Sequence, residues 1–160
     1  MTLLGSMAVL GASICQPDAQ GFIDNEEIYE VFAEQSVAII SAAKLSDLGF
    51  LETAISPDAK LVRQAHIYST HIGPSGVIEF ASWFDADSFV WRRRPYHTPA
   101  PASAFCSPIE IEIEFLPANR TYGTSIKFQF ENGVLVSAKR QSQIARGSGY
   151  RQSCIRIAAQ

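Results

Sequence analysis

The sequence is poor in the patterns that mark known chemistry. Its three cysteines form no C-x-x-C pair, and its three histidines come with no HExxH, so nothing in the spacing supplies a zinc site. There is no G-x-S-x-G, no Cys–His arrangement and no glycine-rich phosphate loop. Thirteen basic residues against sixteen acidic ones leave a net charge of −3, without the basic footprint that nucleic acid demands. No motif asks for a cofactor or a metal. The one uncharged apolar arm, Leu3 to Cys15, is shorter than the roughly 20 residues that cross a bilayer, so membrane insertion of the domain is not expected.

What is present begins with strands. Ile109, Ile111, Ile113 and Phe115 alternate with Glu110, Glu112 and Glu114, the period of a strand apolar on one face and polar on the other. On that reading the glutamates form a solvated outer row at about 7 Å spacing. Lys127–Glu131 then meets Asn132-Gly133, and the chain returns as Val134–Arg140. Asn-Gly between two such runs is a strong hairpin signal, because both residues tolerate positive φ.

The first half reads as helical. Asp24 caps a helix with Glu27 three residues on, and Ile28, Val31, Phe32, Gln35, Ile39 and Ala42 fall on one stripe. A second helix starts at Ser46, carries Leu48, Leu51 and Ile55, and stops at Pro57. Lys60 to His71 holds one or two strands. Gly73-Pro74-Ser75 opens a third helix with Val77, Phe80, Ala81 and Phe84 on one face. Ser88 to Arg94 is a strand, in which Arg92 and Arg94 share a face and Arg93 takes the other, read as a solvated strand end. A tail from Tyr150 adds an edge strand through Ile155 and Ile157. The length suits one domain with its own core, and the order of elements is α+β.

The N-terminal arm fits the core of a signal peptide, although no Lys or Arg precedes it. Residues 1–21 are thus expected to be a signal peptide or a flexible arm, residues 22–160 one domain, and residues 146–160 an extra tail. Export to a periplasm or out of the cell follows; the alternative is a cytoplasmic protein whose arm packs on the domain. Loss of the arm would leave Cys106 and Cys154, an even number that suits one disulfide in an oxidising compartment. Two separate buried thiols are the other reading.

Several segments together resemble the nuclear-transport-factor-2-like superfamily. They are Ala42–Leu51 with Ile55–Ala59, the glycine-opened helix Gly73–Phe84, and the hairpin Phe128–Val136. The resemblance covers about Asp24 to Ala145. It implies a cone: a curved mixed or antiparallel sheet wrapped around a long N-terminal helix, with two shorter helices and an apolar pocket at the open end. The superfamily includes ketosteroid isomerase, scytalone dehydratase, polyketide cyclases and non-catalytic binding or dimerisation domains, so fold alone does not give function.

The residues can be set against that chemistry. Where the isomerase resemblance would place an acidic base, this chain has Arg63, which cannot take up a proton. Tyr29 could supply a phenol but lies off the apolar stripe, and Glu110, Glu112 and Glu114 belong to the polar face. Isomerase chemistry is therefore not expected. The dehydratases use His and Asp; here His66 or His97 could meet Asp85 or Asp87 only through the fold, while His66 and His71 cannot share one strand face.

Aromatic residues cluster instead: Phe80, Trp83, Phe84, Phe89, Trp91, Tyr96 and Phe105. Apolar walls with a few polar groups define a small-molecule pocket. The candidate lining is Tyr29, Gln35, Arg63, His66, Trp83, Trp91 and Phe105, and a buried Gln35 would need a hydrogen-bond partner from protein or ligand. The leading function is non-catalytic binding of a small apolar or amphipathic molecule. The alternatives are a lyase or isomerase with a His–carboxylate pair, and a homodimerisation module. The first alternative needs that pair at the bottom of a cavity. The second needs a filled cavity and an apolar outer sheet, to which Val134, Val136 and Ala138 could contribute.

Overall fold

Helix α1 (Asn25–Leu45) begins with Glu26 and Glu27 and ends with Lys44, charges that suit the two ends of the helix dipole. Its buried arc is broader than the expected stripe and rotated from it. Tyr29, expected off the stripe, is 7% exposed, whereas Val31, expected on it, is 39% exposed. The helix touches β3 and β4 on one side and α2 and α3 on others, so one stripe cannot describe it. The coordinates are a computed structural model, which describes residues 25–64, 68–83, 88–95, 108–118, 120–145 and 147–154; the expected cap Asp24 lies outside them.

Ser46 does not cap the second helix. It has a φ of 55°, and the amides of Ser46 and Asp47 return to the carbonyls of Ala43 and Ala42, which closes α1. Asp47 is the cap of α2 (Leu48–Ala54), its carboxylate accepting the Phe50 amide at 3.1 Å. The helix ends before Pro57, which sits inside β1 (Ile55–Gln64) where the register shifts between Ile55 and Lys60. A residue with no N–H to donate belongs at such an irregularity.

The stretch after Lys60 is two strands, β1 and β2 (Tyr68–Ile72), paired antiparallel with Leu61 opposite His71. Gly73 then starts α3 (Gly73–Phe80) at a φ of 67°, and a Cβ there would stand 2.6 Å from the Pro57 carbonyl oxygen. Only glycine meets both conditions. A 3-10 turn, Ala81–Trp83, follows. The remaining strands are β3 (Ser88–Arg93), β4 (Ile109–Pro117), β5 (Tyr122–Glu131), β6 (Val134–Ala145) and β7 (Arg151–Cys154). Asn132 and Gly133 turn β5 into β6 with φ of 51° and 76°, as the Asn-Gly pair required. The edge strand of the tail is β7, on β3; Ile155 and Ile157 lie outside the described residues.

The described strands form one curved, unclosed sheet in the order β2-β1-β6-β5-β4-β3-β7. Only β1 and β6 run parallel among these pairs, so the sheet is mixed. The inner face lies under α1 and α3. Phe32 of α1 meets Phe130 at 4.9 Å between ring centroids, and Phe89, Phe115, Phe128 and Phe130 continue as successive ring contacts. Ala138 belongs here, opposite Phe128 and Leu61, rather than on an outer pairing face. No helix among the described residues is long and apolar enough to cross a membrane.

The outer face corrects two expectations. Glu110 faces solvent and pairs with Lys127 at 2.9 Å, but Glu114 is buried, its side chain 3% exposed. It accepts from Arg92 Nε at 2.6 Å, Arg94 Nε at 2.8 Å and Tyr150 Oη at 3.0 Å. Arg92–Arg94 is therefore no free strand end. Two of its members bind Glu114 outside, while Arg93 on the inner face pairs with Glu26 and Glu30 of α1. The register that sets Arg92 opposite Glu114 decides this, and alternation within one strand does not disclose it.

Candidate functional site

Strand register assembles the site. Read across the sheet, Ser69, Arg63, Arg140, Ile126, Ile113 and Arg93 are successive neighbours on β2, β1, β6, β5, β4 and β3. The adjoining row holds Thr124, Phe115, Trp91 and Arg151. Both rows lie on the inner face and are apolar in the middle; the first carries arginines toward both ends, the second only at Arg151.

The β3–β7 end is neutralised. Arg93 pairs with Glu26 and Glu30 and lies 5.6 Å from the Tyr29 ring. Arg151 reaches Glu30 at 2.5 Å and lies over Trp91 at 5.3 Å. Burial raises the Tyr29 phenol above its ordinary pKa. Tyr29 and Trp91 are thus drawn into one ion-paired corner, with Trp91 only 6% exposed.

The β1–β6 end is different. Arg140 donates from Nε to Thr124 Oγ1 at 3.1 Å, and its guanidinium stacks on the Trp83 ring at 4.5 Å. Arg63 occupies the next strand directly beside it, and adjacent strands are only about 4.8 Å apart. The Arg63 Nε is buried with no hydrogen-bond partner among the described residues. Neither guanidinium meets a carboxylate among them. Burial, and then the charge of Arg63, lower the pKa of Arg140 from its ordinary value. Two like charges therefore share a half-buried corner beneath an indole.

The other candidates fall elsewhere. Gln35 donates from Nε2 to the Gly133 carbonyl at 2.8 Å, so the β5–β6 turn satisfies it. Gly133, in the turn before β6, is seven residues from Arg140, roughly 23 Å at strand rise, so Gln35 and the arginine pair stand well apart. His71 is bracketed by Glu79 at 3.0 Å and Ser69 at 3.2 Å. It is a His–carboxylate contact, but the Glu79 side chain is 75% exposed, so this pair sits at the surface and not at the bottom of a cavity. His66, His97, Asp85, Asp87, Phe105 and Cys106 lie outside the described residues, as does the side chain of Cys154, whose backbone ends β7 opposite Ser88. Among the described residues no group of three or more His, Cys, Asp or Glu could hold a metal.

Arg140 and Thr124 were not among the sequence candidates. Ala138 and Arg140 share parity on β6, so one inward residue implies the other. The register shift between Gln129 and Phe130, near the hairpin, puts Leu135 on the same face and hides that parity. Chemically the corner offers donors. Guanidinium groups neither accept hydrogen bonds nor release protons near neutrality, so Arg63 and Arg140 bind and orient rather than act as a base.

No family model matches the chain, and no curated protein matches it. Solved structures do. An NTF2 variant carrying several substitutions is similar over 74% of this chain and 100% of its own, at 12% identity and a TM-score of 0.51. An NTF-2-like protein of unknown function from Silicibacter pomeroyi is similar over 72% of this chain and 96% of its own, at 13% identity and a TM-score of 0.49. An LEH-like epoxide hydrolase from M. tuberculosis is similar over 67% of this chain and 78% of its own, at 14% identity and a TM-score of 0.38.

Proposed function

We propose that this chain, which has an NTF2-like fold, is a non-catalytic binding module that holds a small amphipathic molecule against the inner face of its cone. The observation that carries the proposal is the Arg63–Arg140–Trp83 corner. It sets unsatisfied donor capacity and a half-buried aromatic surface beside the fully buried apolar core that begins at Ile126. Apolar walls with a few convergent polar groups are the usual make-up of a ligand site. Binding is favoured over catalysis because the described corner holds no acid or base, and the His71–Glu79 contact faces solvent. It is favoured over pairing through the outer sheet because that face carries the Glu110–Lys127 and Glu114–Arg92–Arg94 ion pairs.

The protein purified from its own host is expected to carry a small molecule in native mass spectrometry, and Trp83→Ala is expected to lose it. An apo mass for the wild type, together with no ligand-induced rise in melting temperature across a panel of amphipathic compounds, would overturn the proposal. Export completes the reading. The mass of the mature chain is expected to lack Leu3–Cys15 and to be two hydrogens lighter for a Cys106–Cys154 bond.

A further inference from the structure

We infer that the polar end of the ligand is an anion, a carboxylate or phosphate-type head held jointly by Arg63 and Arg140. This inference names the ligand class of the site proposed above and rests on that reading.

The arginines of the sheet differ in their partners. Arg92 and Arg94 meet Glu114, Arg93 meets Glu26 and Glu30, Arg151 meets Glu30, and Lys127 meets Glu110. Each of these side chains has been given an acid by the fold. Arg63 and Arg140 have been given each other. They stand side by side in the parallel β1–β6 pairing, where like charges repel, and no carboxylate among the described residues offsets them. A half-buried guanidinium is stable when its donors are matched, and here the Arg63 Nε is buried without a match.

The rest of the corner prepares Arg140 for such a partner. Thr124 takes its Nε and the guanidinium lies over the Trp83 ring, which leaves the two Nη groups to donate. A planar fork of donors beside a second guanidinium matches the oxygens of a carboxylate or phosphate, and such charge-assisted bonds are the strong ones. Ile126 and Ile113 continue the same row but are fully buried in the core, so the apolar surface left to the tail of an anion seated between the arginines is the half-buried Trp83 ring. A structural role for the pair would require protein acceptors; the only one present for either side chain among the described residues is the Thr124 hydroxyl.

Isothermal titration tests this with decanoate, decyl phosphate and decanol, which share a tail and differ in the head. The wild-type chain is expected to bind one of the two anions at least about tenfold more tightly than decanol, a difference of about 1.4 kcal/mol. Which anion binds better identifies the head. Raising the salt is expected to weaken the anion and leave decanol unchanged. Arg63→Met and Arg140→Met are expected to lower anion affinity about tenfold while leaving decanol affinity within about twofold, since charge-assisted bonds are lost and the Trp83 surface is kept. Without ligand, both variants are expected to melt no lower than wild type, because a repulsion is relieved. A purely structural arginine would show the opposite, so a lower melting temperature with unchanged anion affinity overturns the inference. Equal wild-type affinity for anions and decanol overturns it too, but leaves the binding reading standing. Failure of all three probes at millimolar concentration overturns both. Should a methionine variant not fold, Arg140→Lys keeps the charge but loses the fork and the stacking. Its anion affinity is expected to fall severalfold, and unchanged affinity would contradict the clamp.

Discussion

Glu114 shows how much a single side chain can organise. Burial alone would raise the pKa of its carboxyl, but hydrogen bonds from Arg92, Arg94 and Tyr150 and the charge of Arg92 outweigh burial and hold it below the ordinary carboxylate value of 4.5. A depressed folded-state pKa means that the unfolded chain binds more protons through the acid range. The stabilisation is therefore complete above the ordinary value and is lost as pH falls through the folded one. Glu114→Gln is expected to destabilise the protein by about 2 kcal/mol near neutral pH, the scale of hydrogen bonds to charged groups. It is also expected to flatten the acid limb of stability against pH; urea melts between neutral and strongly acidic pH measure both effects. At this scale the sequence was a poor guide. Alternation within β4 sends Glu114 outward, as it is, but outward meant solvated only until β3 and a tail tyrosine were laid against it.

The elements were read more faithfully than their joints. Helices α1 and α3, the strands β4 to β6 and the Asn132–Gly133 turn follow from local periodicity and turn chemistry, because the forces that set them act within a few residues. Gly133→Ala is expected to cost about 1–2 kcal/mol in thermal or urea unfolding, from a left-handed φ that a Cβ resists. Gln35→Leu is expected to cost about 1 kcal/mol, because it leaves the carbonyl of that turn without its donor. The joints were misplaced where one residue could serve two elements. Ser46 has a capping side chain, yet it is spent in the left-handed turn that ends α1, and Asp47 takes over as the cap of α2. Asp47→Ala is therefore expected to destabilise by about 1 kcal/mol where Ser46→Ala does not match it, in parallel denaturation curves.

In the whole molecule, long-range register makes the site. Arg63 was a sequence candidate because a resemblance placed a functional side chain at that position; Arg140 was not, because nothing local joins it to Arg63. Their proximity depends on a parallel β1–β6 pairing between distant parts of the chain, and on the register shift that turns Arg140 inward. Gln35 and Trp91 have the right residue types and still stand apart from that corner, one bound to a turn and the other beneath Arg151. The apolar cone was thus readable from periodicity and order of elements, whereas its polar corner required the assembled sheet. The most direct measurement is amide and indole NMR of the full chain during titration with whichever of decanoate and decyl phosphate binds more tightly. On this account, shifts concentrate at Arg63, Trp83, Thr124, Ile126 and Arg140, with the Trp83 indole N–H among the largest. Shifts confined to the outer row of Glu110, Glu112 and Glu114, or to the Gln35–Gly133 end, would contradict it.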